Sequence, residues 1–487
     1  MEVKLTQLVE ALEAHDLLIR AQNNDLTIKS LAFHSQKCGE QCLFIVKGRN
    51  FKREYLTSLH QNVVAYVSEK DYDVDLPLIL VKDSLKAMAV LADCFYGHPS
   101  QSLNMIGITG TKGKTSSLYF LKSILEAYTY PGDLAYMGTV EIYNGHEVVP
   151  SLLTTPESLT LHEIFHDVKE YGKKNVVMEV SSQALKYDRV YGIDYNYGIF
   201  LNISNDHISD VEHPTFEDYL QSKLKIFDHS KVGIINEELV HYLPDHLKDR
   251  VQTFSISKPA TIQAVDIELS PDGSKFNVFY QNKKYPMHLA VPGLFNVENA
   301  LSVILVAIDM GIPFEVIDQG LSKAFVPGRM LQIKHPTLPI VSIIDYAHND
   351  ASFTKIFEYA NTFYGDYHIK AIFGCPGDKA FNRRHELGLV ANQFADEIYL
   401  VPDDPGHEPV SQINKQIQEV ITKPCFHFED RVQGIHQAFD DIKEPTVLMI
   451  LGKGIEATQK VNGGVVPYEN DQVVCEQCMQ EKVIIHH

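Results

Sequence analysis

One stretch restricts the fold of this chain more than any other. The run NMIGITG (residues 104–110) reads as a short strand, a turn of small residues follows, and Gly113-Lys114-Thr115-Ser116 opens a helix-like run, SSLYFLKSILEAY. Backbone N–H groups of such a turn, together with the helix N-terminus, attract phosphate. Gly110, Thr111, Lys112, Gly113, Lys114, Thr115 and Ser116 are therefore candidate cradle residues. Lys114 would reach the β- and γ-phosphates, and the Thr115 hydroxyl would face Mg²⁺. The spacing departs from the standard loop, since Ile108 stands five before Gly113 and Gly107 lies one position too early. The strand–loop–helix context holds. By itself it leaves a switch, a motor, a kinase and a ligase open.

The rest of the chain alternates in the same way. Residues 1–102 carry strand-like runs QCLFIVKG, NVVAYVSE and LPLILVKD, with VEALEAHDLL and LKAMAVLADCFYG as helices. Gly, Pro and Ser cluster at 97–104, a candidate boundary. Strands NVVMEV (175–180) and YGIFLNI (197–203) alternate with helical stretches, the pattern of a parallel sheet. Residues 260–292 read as a small antiparallel excursion. A second break falls at 326–339, after which IVSIIDYAH, HIKAIFGC, EIYLVPDD and TVLMILGKG alternate with helices. The expectation is an α/β chain of three domains. An N-terminal α/β domain spans 1–102. A central phosphate-loop domain with a parallel sheet spans 103–330, and a Rossmann-like α/β domain spans 331–487.

Composition narrows the partners. Lys and Arg number 43 against 63 Asp and Glu, a formal net charge of −20, which disfavours nucleic acid and anionic membranes. No run approaches the roughly 20 apolar residues of a membrane span, and the N-terminus lacks a signal-peptide core. A cytoplasmic, monomeric protein is expected. Seven cysteines are too few for a disulfide scaffold. Cys38/Cys42 and Cys475/Cys478 have no paired ligands beside them, so zinc is not expected.

The strings TGTKGKTS, LLTTPES, MEVSSQAL and FLNISNDH, followed in order by GLFNVENA, VPGRM, IIDYAHND and LGKGIEATQ, resemble the Mur ligases. These ATP-dependent enzymes build the peptide of bacterial peptidoglycan. The likeness runs over nearly the whole chain. It is strongest to members that add the third amino acid, and TKGKT, EVSSQA and DDP are similar to the L-lysine-adding type. The resemblance implies that ATP phosphorylates the carboxylate of UDP-N-acetylmuramyl-dipeptide. An amino acid, here L-lysine, then displaces phosphate to form an amide.

The resemblance also implies site residues. Glu179, at the end of a strand, and His207 would hold Mg²⁺ with Thr115. Lys223 would be carbamylated by CO₂ and help orient the ion, with Lys225 as a nearby competitor. Lys114, Glu179, His207 and Lys223 form the implied catalytic set. Ser35, Thr154, Thr155, Ser181 and Arg189 match positions that bind the UDP-muramyl substrate. Asn299, Arg329, Asp345 and His348 match contacts to ATP.

The amino-acid pocket departs from the pattern of diaminopimelate-adding members, Asp-Asn-Pro-Arg. Here the stretch is Asp403-Asp404-Pro405-Gly406. Gly406 cannot pair with a second carboxylate, and two acids suit a cationic side chain such as that of L-lysine. A buried acid pair is costly without a cation nearby; a solvated acidic turn is the competing reading. Lys379 stands where an arginine usually meets the amino-acid carboxylate, and Arg383 or Arg384 could substitute. Glu456 could bind the incoming amine. The changed motifs leave two alternatives: a relative that ligates another amino acid or acceptor, and a silent nucleotide-binding scaffold. A scaffold would have no need for the full ATP-cleaving set.

Overall fold

The structure, a computed structural model, describes residues 1–22, 25–48, 50–57, 62–129, 132–204 and 212–485. It is α/β and divides into two compact units. The first comprises Met1–Glu268 with Lys275–Ala290 and Leu294–Ala324. The second comprises Phe325–His487 with Leu269–Ser274 and Val291–Gly293. No helix among the described residues is long and apolar enough to cross a membrane.

The first unit holds two larger sheets. In the order Leu18–Ala21, Leu78–Val81, Val63–Ser68, Cys42–Ile45, Ser30–Ala32, five strands form one of them, parallel except at the Leu18–Ala21 edge. Helix Leu5–Ala14 buries Leu5, Leu8, Val9 and Leu12, the three-and-four spacing of one helix face. Each such side chain contributes about 1.5–3 kcal/mol. The helix starts and stops four residues earlier than the sequence pattern of residues 9–18 suggests. Asp16 takes a positive φ of 55°, so the chain turns, and Leu18 begins a strand instead.

The larger sheet places Asn175–Glu179 on one side of Asn104–Thr109 and Tyr195–Phe200 on the other, all three parallel. Asn104–Thr109 is buried from Met105 onward, as the near-continuous apolar run requires of a strand covered on both faces. Chain order reverses across this strand. Such a switch point opens a crevice at the C-terminal ends of parallel strands. Ile262–Ser270, Gly273–Tyr280 and Lys283–Leu289 are the three strands of the 260–292 excursion, consecutive neighbours in the sheet order. They extend this sheet, with Phe254 opposite Ile262 in a parallel pair.

The second unit is built on a six-stranded sheet: Leu331–Lys334, Ile340–Asp345, Thr446–Leu451, His368–Phe373, Glu397–Leu400, Cys425–His427. All neighbours are parallel except the first pair. A fully buried ion pair, Arg431–Asp471, braces it at 2.8 Å. The same guanidinium donates to the carbonyls of Leu451 and Pro402, at 3.0 and 3.4 Å. Two strand ends are thereby fixed.

Candidate active site

In the first unit the switch point brings the phosphate loop, Glu179 and the 201–204 segment together. Glu179 lies opposite Ile108 and Phe200 opposite Thr109 in the paired strands. Gly113 caps the helix Lys114–Tyr128 at φ +86°. An added Cβ there would lie 2.3 Å from Asn299 Oδ1, so only glycine fits and Asn299 underlies the loop. Asn202 clamps the loop by accepting from Lys112 N at 2.9 Å and donating to Lys112 O at 3.0 Å. Thr111 Oγ1 lies 3.1 Å from the Tyr219 hydroxyl and accepts from Ser204 N at 3.1 Å.

Two ammonium groups converge on one carbonyl. Lys114 Nζ donates to Gly110 O at 2.7 Å and to Thr111 O at 3.2 Å. Lys223 Nζ donates to Gly110 O at 2.9 Å and sits 4.5 Å from the Tyr219 ring centroid. Lys223 is 1% exposed, so its contacts must compensate for lost hydration. Two lysine side chains thus lie against the phosphate-type turn.

Glu179 is buried and both its oxygens accept hydrogen bonds. Thr115 Oγ1 and Thr139 N donate to Oε1 at 3.0 and 2.9 Å; Thr139 Oγ1 reaches Oε2 at 3.1 Å. Thr154 Oγ1 lies 3.1 Å from Thr139 Oγ1, and Thr155 Oγ1 donates to the Glu179 carbonyl at 2.9 Å. Ser181 caps its helix by accepting from Ala184 N at 3.1 Å. Arg189 donates to Thr155 O at 3.2 Å and pairs with Glu157 at 3.1 Å. The same Glu157 meets Lys47 at 2.6 Å. The structure therefore gathers Thr115, Thr154, Thr155, Glu179, Ser181 and Arg189 around one strand end. Ser35 sits exposed in the short helix Ser35–Lys37. His207 lies outside the described residues.

Thr139, Asn202 and Lys47 escaped the sequence reading. Thr139 follows a glycine in an unpatterned stretch and carried no signal. Asn202 lies inside the NISNDH string, where the histidine is the residue type that suits a ligand.

In the second unit, strand ends again hold the polar residues. Asp345 accepts from Met330 N at 2.8 Å and Ala347 N at 2.7 Å. Arg329 stacks over the Tyr346 ring at 4.6 Å, and His348 Nδ1 donates to Tyr346 O at 2.7 Å.

The 403–406 turn packs on the 377–378 loop. Gly377 N donates to Asp404 O, and His407 N to Asp378 Oδ2, each at 2.9 Å. Gly406 has φ +59°, and a Cβ there would lie 2.2 Å from Asp378 Oδ2. The absence of an arginine at this position thus has a backbone reason as well as a charge reason.

The cation that the acid pair needs comes from the chain itself. Lys453 Nζ, 1% exposed, donates to Asp404 Oδ1 at 2.9 Å and Glu456 Oε2 at 2.8 Å. Burial works against its charge, but Asp403, Glu456 and Asp404 together raise its pKa above the ordinary lysine value. Burial in turn pushes the Asp403 carboxyl above the usual carboxylate range, against Lys453 and Arg431. Lys460, largely exposed, adds a second lysine 4.0 Å from Asp404. The motif GKGIE drew attention to Glu456 and passed over Lys453.

Lys379 is exposed beside this turn. Arg384 is spent on structure. Its buried guanidinium grips both oxygens of Glu408 at 2.9 and 3.0 Å and also reaches Gln416 and the Pro376 carbonyl. A guanidinium committed in this way is a poor receptor for a substrate carboxylate.

Comparison with known proteins agrees with this arrangement. Residues 108–307 match the family model described as the Mur ligase middle domain. Residues 328–454 match that of the Mur ligase, glutamate ligase domain. The UDP-N-acetylmuramoyl-L-alanyl-D-glutamate–L-lysine ligase of Streptococcus pneumoniae (serotype 2, strain D39) is 36% identical over 92% of each chain. The protein of the same name from Enterococcus faecalis (strain V583) is 35% identical over 99% of this chain and 100% of its own. Among solved structures, a UDP-N-acetylmuramoyl-L-alanyl-D-glutamate–2,6-diaminopimelate ligase superposes over 100% of both chains with a TM-score of 0.67 at 23% identity. MurF from Acinetobacter baumannii gives 0.66 at 18% identity over 99% of both. The two family models, matched over most of the chain, make this α/β protein a ligase. The chain belongs to the Mur ligase family.

Proposed function

We propose that this ligase uses ATP to join L-lysine to UDP-N-acetylmuramyl-L-alanyl-D-glutamate, working in the cytoplasm as a monomer. Its curated relatives carry that reaction in their name. The observation that carries the reading is the opposite charge of the two strand-end clusters. The first lays the Lys114 ammonium and the loop N–H groups on a phosphate-type turn, and the second gathers Asp403, Asp404 and Glu456 around Lys453. In the division of labour we propose, residues 1–102 hold the UDP end, 103–330 hold ATP and 331–487 hold the amino acid.

The chemistry follows from charge. A substrate carboxylate oxygen attacks the γ-phosphorus of ATP, ADP leaves, and the amine of lysine then displaces phosphate from the acyl carbon. Both steps need charge neutralisation and positioning more than a protein nucleophile. Lys114 and the loop N–H groups would meet the phosphates, with Asn299, Arg329, Asp345 and His348 around the nucleotide. Thr154, Thr155, Ser181, Arg189 and Ser35 would hold the UDP-muramyl substrate. Asp403 and Asp404 would receive the side-chain ammonium, Glu456 the incoming amine, and Lys379 the carboxylate of the amino acid.

Two hard oxygen donors 3.0 Å apart, Thr115 Oγ1 and Glu179 Oε1, fit Mg²⁺, which takes few protein ligands and completes its shell with phosphate and water. His207 and a carbamylated Lys223 complete the proposed set. The ion would neutralise phosphate charge.

Phosphate release from ATP with the UDP-linked dipeptide tests the reading, comparing L-lysine, L-ornithine and meso-diaminopimelate. Release that depends on L-lysine is the expected result. Dependence on diaminopimelate would overturn the acidic-pocket argument. Absence of release from folded, ATP-binding protein would overturn the ligase reading of this acceptor.

A further inference from the structure

His213 is completely buried and belongs to none of the groups described above. Its Nδ1 lies 2.6 Å from Asp218 Oδ2 and its Nε2 lies 2.9 Å from Ser182 Oγ. Asp218 also receives Lys186 Nζ at 2.7 Å, and Lys186 donates to the Glu212 carbonyl at 2.9 Å. The partners come from separate elements. Ser182 begins the helix Ser182–Lys186, three residues after Glu179; Asp218 lies in the first turn of Phe216–Leu224, the helix that carries Tyr219 and Lys223. The imidazole packs on the Tyr219 ring with centroids 4.9 Å apart. Tyr219 in turn touches Thr111 through its hydroxyl and Lys223 through its ring face.

Ring chemistry gives these bonds a direction. Burial, ahead of the opposing pull of Asp218, holds the His213 pKa below its ordinary value, and Lys186 and Lys223 act the same way as burial. Burial works against the Asp218 charge, yet hydrogen bonds from Lys186 and His213 hold its carboxyl below the usual range. A neutral imidazole has one donor and one acceptor nitrogen, and an ionised carboxylate only accepts. Nδ1–H therefore donates to Asp218, and Nε2 accepts from the Ser182 hydroxyl. The order serine, histidine, aspartate matches that of a hydrolytic triad, but Ser182 is buried on a helix N-terminus and its proton faces the ring. The arrangement is a tie between elements.

We infer that His213 is a positioning residue for the ligation reaction, fixing the helix that carries Lys223 against the segment that follows Glu179. The inference rests on the roles proposed for Lys223 and Glu179. Neither helix is otherwise long: Ser182–Lys186 has 5 residues and Phe216–Leu224 has 9. A rigid two-sided tie is what keeps such short elements within the sub-ångström tolerance of a reacting centre. Misplacement by about 1 Å can cost on the order of a hundredfold in rate.

The test uses the full chain with His213→Asn, Ser182→Ala, the double variant, and Asp218→Asn. Steady-state kinetics are paired with the ¹³C signal of ¹³CO₂-labelled carbamate on lysine, and with thermal midpoints. In His213→Asn the expected outcome is a kcat about 10- to 100-fold lower, KM for the UDP-linked substrate within about twofold, and a carbamate signal at least halved. Ser182→Ala should cost about 3- to 10-fold alone and nothing further on top of His213→Asn, because both remove one tie. Wild-type kcat in folded His213→Asn, or independent multiplication of the two losses, would overturn the inference. Should His213→Asn fail to fold, Ser182→Ala and Asp218→Asn carry the same readouts, and wild-type values in both would overturn it as well. A wild-type enzyme with no carbamate signal, and with Lys223→Ala fully active, would instead remove the underlying reading of Lys223.

Discussion

The two strand-end clusters solve opposite electrostatic problems with the same architecture. In the first unit, Lys114 and Lys223 both donate to the carbonyl of Gly110. In the second, Asp404 and Glu456 both lean on Lys453, with Asp403 adding to the field. One cluster is built on lysines and the other on carboxylates. Parallel strands end in both places, so the same kind of backbone geometry carries lysines in one and carboxylates in the other. Only the side chains differ.

Removing one charge at a time separates the two. Lys114→Ala should lower kcat/KM for ATP by at least about 10³, as expected when a cation is removed from a phosphoryl-transfer site. KM for L-lysine should stay within twofold; a proportionate rise in that KM would show that the two clusters do not act independently. Arg431→Met strips Asp471 of its buried partner beside the acidic turns. It should destabilise the second unit by about 3–5 kcal/mol in urea titration, and a loss under 1 kcal/mol would mean the brace is dispensable. Asp404→Asn should raise KM for L-lysine about 10- to 100-fold with KM for ATP nearly unchanged. An unchanged lysine KM would reduce the turn to a structural element held by Lys453.

The smallest effect belongs to a group in neither cluster. His162 is fully buried, and burial, ahead of the opposing charge of Asp93, pushes its pKa down to about 4. The unfolded imidazole takes a proton near pH 6.5, so its contribution to stability is fully present above that pH. It is lost as pH falls from 6.5 toward 4. Between pH 6.5 and pH 5 the loss is about 2 kcal/mol. His162→Leu should flatten this part of the stability–pH curve while leaving both clusters active. An unaltered curve would show that His162 is protonated within the fold.

Much of this was legible in the residues. The run NMIGITG placed the central strand, and TKGKTS placed the helix N-terminus behind it. Both follow from local rules: an apolar run of strand length, and a glycine where φ must be positive. Asp403/Asp404 were visible as candidates because their charge suits a cationic side chain, whereas Thr154/Thr155 were visible only through the family resemblance. Thr139, Asn202, Lys47 and Lys453 were not. Each matters through a partner between 40 and 110 residues away, and no local pattern encodes that pairing. The role offered for Arg384 shows the converse. Its sequence context fits carboxylate recognition, but Glu408, 24 residues away, captures the guanidinium first.

By itself the sequence determined the α/β alternation, the phosphate-type loop and the excess of acid at 403–404, because periodicity, glycine placement and charge are written locally. The tertiary structure alone decided which charges are answered inside the protein. It set Lys453 against the acids and closed Thr139 over Glu179. It also tied His213 between two helices. The reason is physical: compensation of a buried charge depends on distance and burial, and both exist only once the strands have been ordered in space.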